Sequence, residues 1–313
     1  MNKLVLYSLG TGLTNKINYS VTDRLLGFLT LVPPIFLILT PINAASAAVL
    51  SIYGFPTWTR AVLGLFTVVL AGWGVNTLNH YIDRKRDKLI WPERAIPSGR
   101  VKARIALVLA SISLICSLLL AWFYFNPMNF FILFLAITLS SAYSIWLRDR
   151  IGYLSLPPIP GLIYLGAWAA FSPETLFTSL IPWYLFVLGF IWQAAHITIY
   201  YPLHIYHQTD NKLIKSETPL FFVKPTAKSA AIIGLCLTIV TLLLSILLPV
   251  LARLSYIYII LILLAGTYAV TCCLQNIKNP SSRRDGFKAF ASLSVFRLTI
   301  SLAIIFDVYI FSC

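Results

Sequence analysis

Long apolar segments, each close to twenty residues, recur along this chain from one end to the other. A helix rises about 1.5 Å per residue, so about twenty apolar residues cross the hydrocarbon core of a bilayer. We identify nine such segments, near residues 25–42, 61–82, 105–125, 129–147, 151–171, 179–201, 229–250, 255–275 and 290–311. They lack the apolar–polar alternation of a membrane β-barrel. The sequence therefore predicts an all-α polytopic membrane protein, with about nine transmembrane helices around a central cavity.

The composition excludes several other classes of protein. Apolar residues make up 59% of the 313 residues and charged residues only 11%, against about 25% charged residues in soluble domains. A soluble single-core domain, a disordered chain and a coiled coil do not have this composition. The net charge is +14, but in a membrane protein basic residues mark the cytoplasmic side. We therefore predict the lipid bilayer, and no nucleic acid, as a partner.

The basic residues are distributed unevenly between the connections. The chain has 24 Lys and Arg residues. If it has nine spans and a cytoplasmic N-terminus, all of them except Arg60, Arg253 and Arg297 fall in cytoplasmic segments. The positive-inside rule thus predicts an N-in, C-out topology.

Two long cytoplasmic loops, at about 83–104 and 202–228, hold many of the polar residues. We expect residues 1–313 to form a single membrane-embedded domain whose active site faces the cytoplasm at these loops. The predicted location is the cytoplasmic membrane of a bacterium or archaeon, or an organelle membrane.

The end of the second span carries amides and carboxylates at helical spacing. Asn79, Asp83 and Asp87 are spaced i, i+4 and i+8, and Asn76 joins the same side of the helix. Such oxygens suit Mg²⁺, which takes one or two carboxylates and completes its shell with water and phosphate. Bases that suit a polyanion follow: Arg84, Lys85, Arg86, Lys88, Arg94 and Arg100. A Mg²⁺–diphosphate site is predicted; the alternative is a charged anchor at the membrane interface.

The segment from Asn79 to Arg100 resembles a known signature, since it reads NHYIDRKRDKLIWPERAIPSGR. It is similar to the first motif of the UbiA superfamily of intramembrane prenyltransferases, N-D-x-x-D-x-x-x-D followed by P-x-R-P-I-P-S-G. The segment most resembles the form that this motif takes in chlorophyll synthases and digeranylgeranylglyceryl phosphate synthases. This chain differs at His80, where the family commonly has Asp, and at Ala95, where it has Pro.

The second long loop resembles the family's second motif only in part. Trp192 and His196, with a later Asp and a Thr–Pro pair, are similar to the haem O synthase version, whereas the common D-x-x-x-D pattern is absent. The resemblance implies that Asp210 supplies a third carboxylate. His204 and His207 either contact diphosphate or accept a proton from the acceptor, or are half-exposed interface residues. His196 either lines the cavity or is a bundle histidine with its hydrogen bonds satisfied.

The end of the fourth span, from Tyr143 to Arg148, is similar to the family's Y-S-x-x-L-K element, with Arg for Lys. An arginine fork can bind a pair of diphosphate oxygens; the alternative is a positively charged flank of the span. The diphosphate-binding residues that we predict are Arg94, Tyr143, Arg148, Lys212 and Lys215.

The resemblance implies Mg²⁺-dependent transfer of a prenyl group from an isoprenyl diphosphate to an acceptor within the membrane. The predicted catalytic residues are Asn79, Asp83, Asp87, Asp210, His204 and His207, with Mg²⁺ on Asp83, Asp87 and Asp210. Aromatic, tetrapyrrole and polyol acceptors stay open, as does the chain length of the donor. Two alternatives stay open as well, which are a terpene cyclase of the same superfamily and a transporter or scaffold without enzymatic activity.

Overall fold

The computed structural model describes residues 19–32, 34–209, 212–215 and 218–311. Ten longer helices and one two-stranded hairpin make up most of this part of the chain. In chain order they are α1 (Val21–Leu29), α2 (Pro34–Ile52), α3 (Trp58–Ile90), α4 (Ala103–Leu120), α5 (Pro127–Ala142), α6 (Pro158–Phe171), α7 (Ile181–Ile205), β1 (Tyr206–Thr209), β2 (Lys212–Lys215), α8 (Ala227–Ala252), α9 (Tyr256–Lys278) and α10 (Arg283–Phe311).

Eight of the helical segments are long and apolar enough to cross a bilayer. The helix α2 is also apolar but shorter, with its apolar stretch at Leu37–Ile52. Counted together, α2 to α10 agree in number with the nine predicted spans, and the prediction of a polytopic helical fold is confirmed. Between α7 and α8 the antiparallel pair β1 and β2 departs from this helical pattern.

The first predicted span, at 25–42, is wrong in its position, because the chain forms the two helices α1 and α2 there. Where α1 gives way to α2 the sequence has Pro33 and Pro34. A proline lacks the amide hydrogen that an interior helical position donates, so a helix does not continue through two of them. Pro34 instead begins α2, where the missing donor has no helical partner to lose. A capping box between Ser20 and Asp23 begins α1.

The helix α3 runs beyond the span predicted at 61–82 and continues to Ile90. The sequence has no Gly or Pro between Gly74 and Pro92, so no helix-breaking residue occurs before Pro92. A proline disfavours helical geometry in the residue before it, which here is Trp91, the C-cap of α3. The first part of the predicted loop is therefore helical and holds its acidic residues at fixed spacing.

The segment between α5 and α6 is tied to the end of the second long loop by backbone hydrogen bonds. The amide of Tyr153 donates to the carbonyl of Pro219 at 3.1 Å, and the amide of Leu154 donates to the carbonyl of Leu220 at 2.9 Å. Gly152 allows this close approach. Its φ is +119°, and a Cβ there would lie 2.5 Å from the carbonyl oxygens of Pro219 and Leu220.

We expect Gly152→Ala to lower the free energy of unfolding by roughly 1–3 kcal/mol, since the side chain would meet both a strained backbone and two carbonyl oxygens. Thermal unfolding of the purified protein in detergent measures the effect. The control is Gly72→Ala in α3, where no atom lies within 4 Å of the added Cβ. Equal unfolding temperatures for the two variants would contradict the prediction.

The interior of the bundle combines large aromatic side chains with small residues. Tyr164, Trp192 and Phe296 are buried on α6, α7 and α10. At Gly161 on α6 an added Cβ would lie 2.7 Å from the ring of Phe186 on α7. Small residues let membrane helices approach closely and gain dispersion contacts. These three helices thus form one close-packed wall.

Candidate active site

A cavity of about 1170 Å³ lies inside the bundle, with lining residues from α2, α3, α5, α6, α7 and α10. Apolar side chains line most of it. Near the C-terminal part of α3 the lining is polar, and its residues include Asn76, Asn79, His80, Asp83, Arg86, Asp87, Arg94, Tyr143 and Arg148. The predicted central cavity is therefore present. We name the polar part of its lining, near the C-terminal part of α3, the polar end.

Asp83 forms a bidentate ion pair with Arg148, which follows α5. The Nη1 of Arg148 donates to Oδ2 of Asp83 and its Nη2 to Oδ1, both at 2.7 Å. Each side chain is only 9% exposed. An unpaired charge buried in this way would cost several kcal/mol, so each residue depends on the other. A predicted metal ligand and a predicted diphosphate-binding residue are thus in direct contact.

Asp87 makes a second ion pair one helical turn further along α3. The Nη1 of Arg94 lies 2.8 Å from both carboxylate oxygens of Asp87. Arg94 belongs to the turns that follow α3, and its guanidinium carbon lies 5.5 Å from the ring centre of Trp91. The side chain of Asp87 is 5% exposed and that of Arg94 is 28% exposed. The second pair is therefore the more accessible of the two.

Residues after α5 complete the polar end. The Nδ2 of Asn79 donates to Oγ of Ser144 at 2.7 Å, and the ring centre of Tyr143 lies 5.8 Å from the guanidinium carbon of Arg148. A π-helical turn spans Tyr143–Leu147, and such turns are frequent at functional sites. Tyr143, Ser144 and Arg148 all line the cavity from this turn and its end.

Residues 38–297 match the UbiA prenyltransferase family. This range covers most of the chain and contains every residue of the polar end. The chain belongs to the UbiA prenyltransferase family. The resemblance inferred from the first motif is confirmed, and the protein is an integral, multi-pass membrane enzyme of the prenyltransferase class.

Two relatives and one solved structure illustrate the similarity. A digeranylgeranylglyceryl phosphate synthase from Methanosphaera stadtmanae is 27% identical over 255 residues, which are 79% of this chain and 89% of that protein. A protoheme IX farnesyltransferase from Desulforudis audaxviator is 28% identical over 260 residues, 80% of this chain and 77% of that protein. A UbiA homolog from Archaeoglobus fulgidus, solved with DMAPP and Mg²⁺, has a TM-score of 0.60 at 19% identity. The match covers 89% of this chain and 98% of that one.

The polar end of this UbiA-family protein offers oxygen ligands to a divalent cation. Within the described ranges, no group of three or more His, Cys, Asp or Glu is arranged to hold a metal ion. Asp83 and Asp87 nevertheless fit Mg²⁺, which binds one or two carboxylates and leaves its other positions to water and phosphate. Both carboxylates bond to arginines, so a cation would replace a guanidinium at each.

The second loop is described only in part. Asp210 lies outside the described residues, as do the side chains of His204, His207, Lys212 and Lys215. The roles of these five residues stay predictions. Further along, Oγ1 of Thr218 accepts a hydrogen bond from Nη2 of Arg86 at 3.2 Å. The end of the second loop therefore reaches the polar end.

His196 combines the two alternatives left open by the sequence. It is buried and lines the cavity, its Nε2 lies 3.1 Å from Oγ of Ser294, and its ring stacks on Trp192 with 4.7 Å between ring centres. The residue is thus a bundle histidine with a polar partner that also forms part of the cavity wall.

One side chain of the polar end, His80, is absent from the catalytic, diphosphate-binding and metal-binding residues predicted from the sequence. The buried Nδ1 of His80 has no hydrogen-bond partner in the part of the chain that the structure describes. His80 precedes Asp83 by three residues, so helical spacing could have placed it on the same face. Arg86 contacts Thr218 and lies 3.7 Å from Asp149. Arg86 is among the bases that the sequence predicts to suit a polyanion, but both of these partners are distant in sequence, so local spacing does not predict its contacts.

Proposed function

We propose that this protein transfers a prenyl group from an isoprenyl diphosphate to a nucleophilic acceptor inside the membrane, with Mg²⁺ as cofactor. The observation that carries the proposal is the position of two carboxylate–arginine pairs at one end of a long apolar cavity. Carboxylates suit a cation, guanidiniums suit phosphate, and the apolar walls suit a prenyl chain. The names of the two relatives, a synthase and a farnesyltransferase, agree with this assignment.

The diphosphate of the donor would bind to Arg94 and Arg148. Guanidinium groups present parallel N–H donors that match carboxylate and phosphate oxygens equally well. Each arginine already bonds to a carboxylate at the polar end, so the donor needs only to replace one oxyanion by another. We propose that Lys212 and Lys215 add positive charge from the second loop.

Asp83 and Asp87, with Asp210 from the second loop, would hold the Mg²⁺. When bound, the ion neutralises the negative charge that develops on the diphosphate as the allylic C–O bond breaks. The electron pair of that bond leaves with the diphosphate, so the positive charges of the site favour ionisation. Asn79, held by Ser144, would add an amide to the same wall.

The remaining groups protect the carbocation and receive the acceptor. Apolar walls exclude water, which would otherwise trap the cation as an alcohol. The ring face of Tyr143, which lines the polar end, is able to stabilise positive charge. We propose that His204 or His207 accepts the proton that the acceptor loses as its new bond to carbon forms, or else contacts the diphosphate.

The same proposal places the polar end on the cytoplasmic side, in a single domain over residues 1–313 with N-in, C-out topology. The bases on both sides of α3's C-terminal end support this orientation through the positive-inside rule. The membrane is then the cytoplasmic membrane of a bacterium or archaeon, or that of an organelle.

The function is tested with purified protein in liposomes and labelled allylic diphosphates, with and without Mg²⁺. A phenol, a haem and a glycerol phosphate serve as probe acceptors of the three open classes. We expect release of diphosphate and a prenylated product only when Mg²⁺ and one of these acceptors are both present. The double variant Asp83→Asn/Asp87→Asn is the negative control, because it keeps the shape of both side chains but removes their charge.

Two outcomes contradict this function. A hydrocarbon product formed without acceptor identifies a terpene cyclase instead. If the folded wild-type protein neither turns over the donor with any of the three acceptors nor binds diphosphate, the result favours a transporter or scaffold.

A further inference from the structure

The apolar part of the cavity follows α3 away from the polar end. Lining residues of this helix extend from Asp83 through Ala71 and Val68 to Gly64 and Ala61. A rise of about 1.5 Å per residue places Gly64 roughly 28 Å from Asp83 along the helix. The cavity is thus long in the direction in which a prenyl chain would extend.

Two aromatic rings line this space where it reaches Gly64. Phe125 ends the π-helical turn after α4, and Phe171 ends α6; their ring centres are 5.7 Å apart in an edge-to-face arrangement. Both line the cavity. They face Gly64, since a Cβ built there would lie 3.6 Å from Cζ of each ring. We name Gly64, Phe125 and Phe171 the floor of the cavity.

The floor is held in place by polar contacts behind it. The guanidinium carbon of Arg60 lies 5.0 Å from the ring centre of Phe171, and its Nη2 donates to the carbonyl of Ala170 at 2.9 Å. Asn126, next to Phe125, donates to the carbonyl of Ala169 at 2.7 Å. These contacts tie the start of α3 and the segment after α4 to the end of α6, so the rings resist displacement by a longer chain.

We infer that the floor limits the donor to a prenyl chain of about four isoprene units; the inference rests on the proposed function. An isoprene unit adds four chain bonds of about 1.5 Å, and when extended it advances roughly 5 Å. With the diphosphate and Mg²⁺ occupying the first part of the distance, about four units fill the remainder. A longer chain would have to displace Phe125 and Phe171.

The test compares kcat/KM for donors of two to six isoprene units with one acceptor. For the wild-type protein we expect a maximum near four units and a fall of at least about tenfold beyond it, as expected when about 1.4 kcal/mol of chain binding is lost. Phe171→Ala removes a ring about the size of one isoprene unit, so the maximum should move to longer donors. Gly64→Leu fills the space above the rings and should move the maximum to shorter ones.

Phe123→Ala is the matched control, because Phe123 lies in the same π-helical turn as Phe125 but is 79% exposed. Its donor-length profile should equal that of the wild type. Competition binding of unreactive diphosphates of the same lengths gives a second readout, independent of turnover. Should Phe171→Ala fail to fold, Phe171→Leu replaces it. Phe171→Leu should move the maximum of kcat/KM to longer donors, and Gly64→Leu should move it to shorter ones.

Two results overturn the inference and are distinguishable. If the folded variants turn over donors with the wild-type length profile, the floor does not set chain length, although the proposed function stands. If the wild-type protein turns over no donor of any length, the proposed function fails and the inference fails with it.

Discussion

Asp83→Asn is expected to reduce turnover at least about 10²-fold, which corresponds to about 2.7 kcal/mol of activation free energy. The variant keeps the shape of the side chain and an oxygen that Arg148 can contact, but it loses the charge that would hold Mg²⁺ beside the diphosphate. The loss should be partly offset by raising the Mg²⁺ concentration. Steady-state rates measured across a Mg²⁺ titration report both effects.

Glu174→Gln is the matched control, because Glu174 is an exposed acid in the connection after α6, away from the polar end. Its Mg²⁺ titration should follow the wild type. Wild-type activity in Asp83→Asn at limiting Mg²⁺ would show that Asp83 serves only to neutralise Arg148, and that the cation, if required, is held elsewhere.

Arg148→Lys should lower kcat/KM for the donor by about 10- to 150-fold, which corresponds to the 1.5–3 kcal/mol of a charge-assisted hydrogen bond. Lysine keeps the positive charge but replaces a planar fork by a single ammonium group, so it cannot bond to two oxyanion oxygens in parallel. The same change removes one of the two bonds to Asp83. Donor affinity, measured with an unreactive diphosphate analogue, separates binding from chemistry.

Arg150→Lys makes the same substitution two residues along, at an exposed position outside the cavity lining. Its kcat/KM and donor affinity should equal those of the wild type, because the change replaces an arginine of this flank without altering the polar end. If both variants weaken donor binding equally, the effect is a general one of exchanging arginine for lysine in this flank, and Arg148 has no special contact with the diphosphate.

Much of this architecture can be predicted from local sequence. Apolar segments of sufficient length predict nine helices, which agree in number with α2 to α10. The i, i+4 spacing places Asp83 and Asp87 on one helix face because the helix is regular there. Errors at the boundaries have local causes as well. Pro33 and Pro34 divide the first segment, and the absence of Gly or Pro before Pro92 lets α3 continue past the apolar run.

The partners of these residues could not be predicted in the same way. Arg148 is 65 residues from Asp83, and the two meet only because α5 and its π-helical turn pack beside α3. The rings of Phe125 and Phe171 also belong to different helices, so no spacing rule relates them. Such contacts depend on how helices are arranged in three dimensions, which a single sequence encodes only through many weak packing preferences.

If Mg²⁺ binds to Asp83 and Asp87 and the diphosphate to Arg94 and Arg148, as proposed, the two carboxylate–arginine pairs link metal binding and donor binding thermodynamically. The arginines would then compete with Mg²⁺ for the carboxylates to which they are paired, and the carboxylates would compete with diphosphate for the arginines. Whichever ligand arrives first releases the partner that the other one needs. Linkage is reciprocal, so the factor by which the donor strengthens Mg²⁺ binding equals the factor by which Mg²⁺ strengthens donor binding. An enzyme with this arrangement would bind the metal more tightly when its substrate is present.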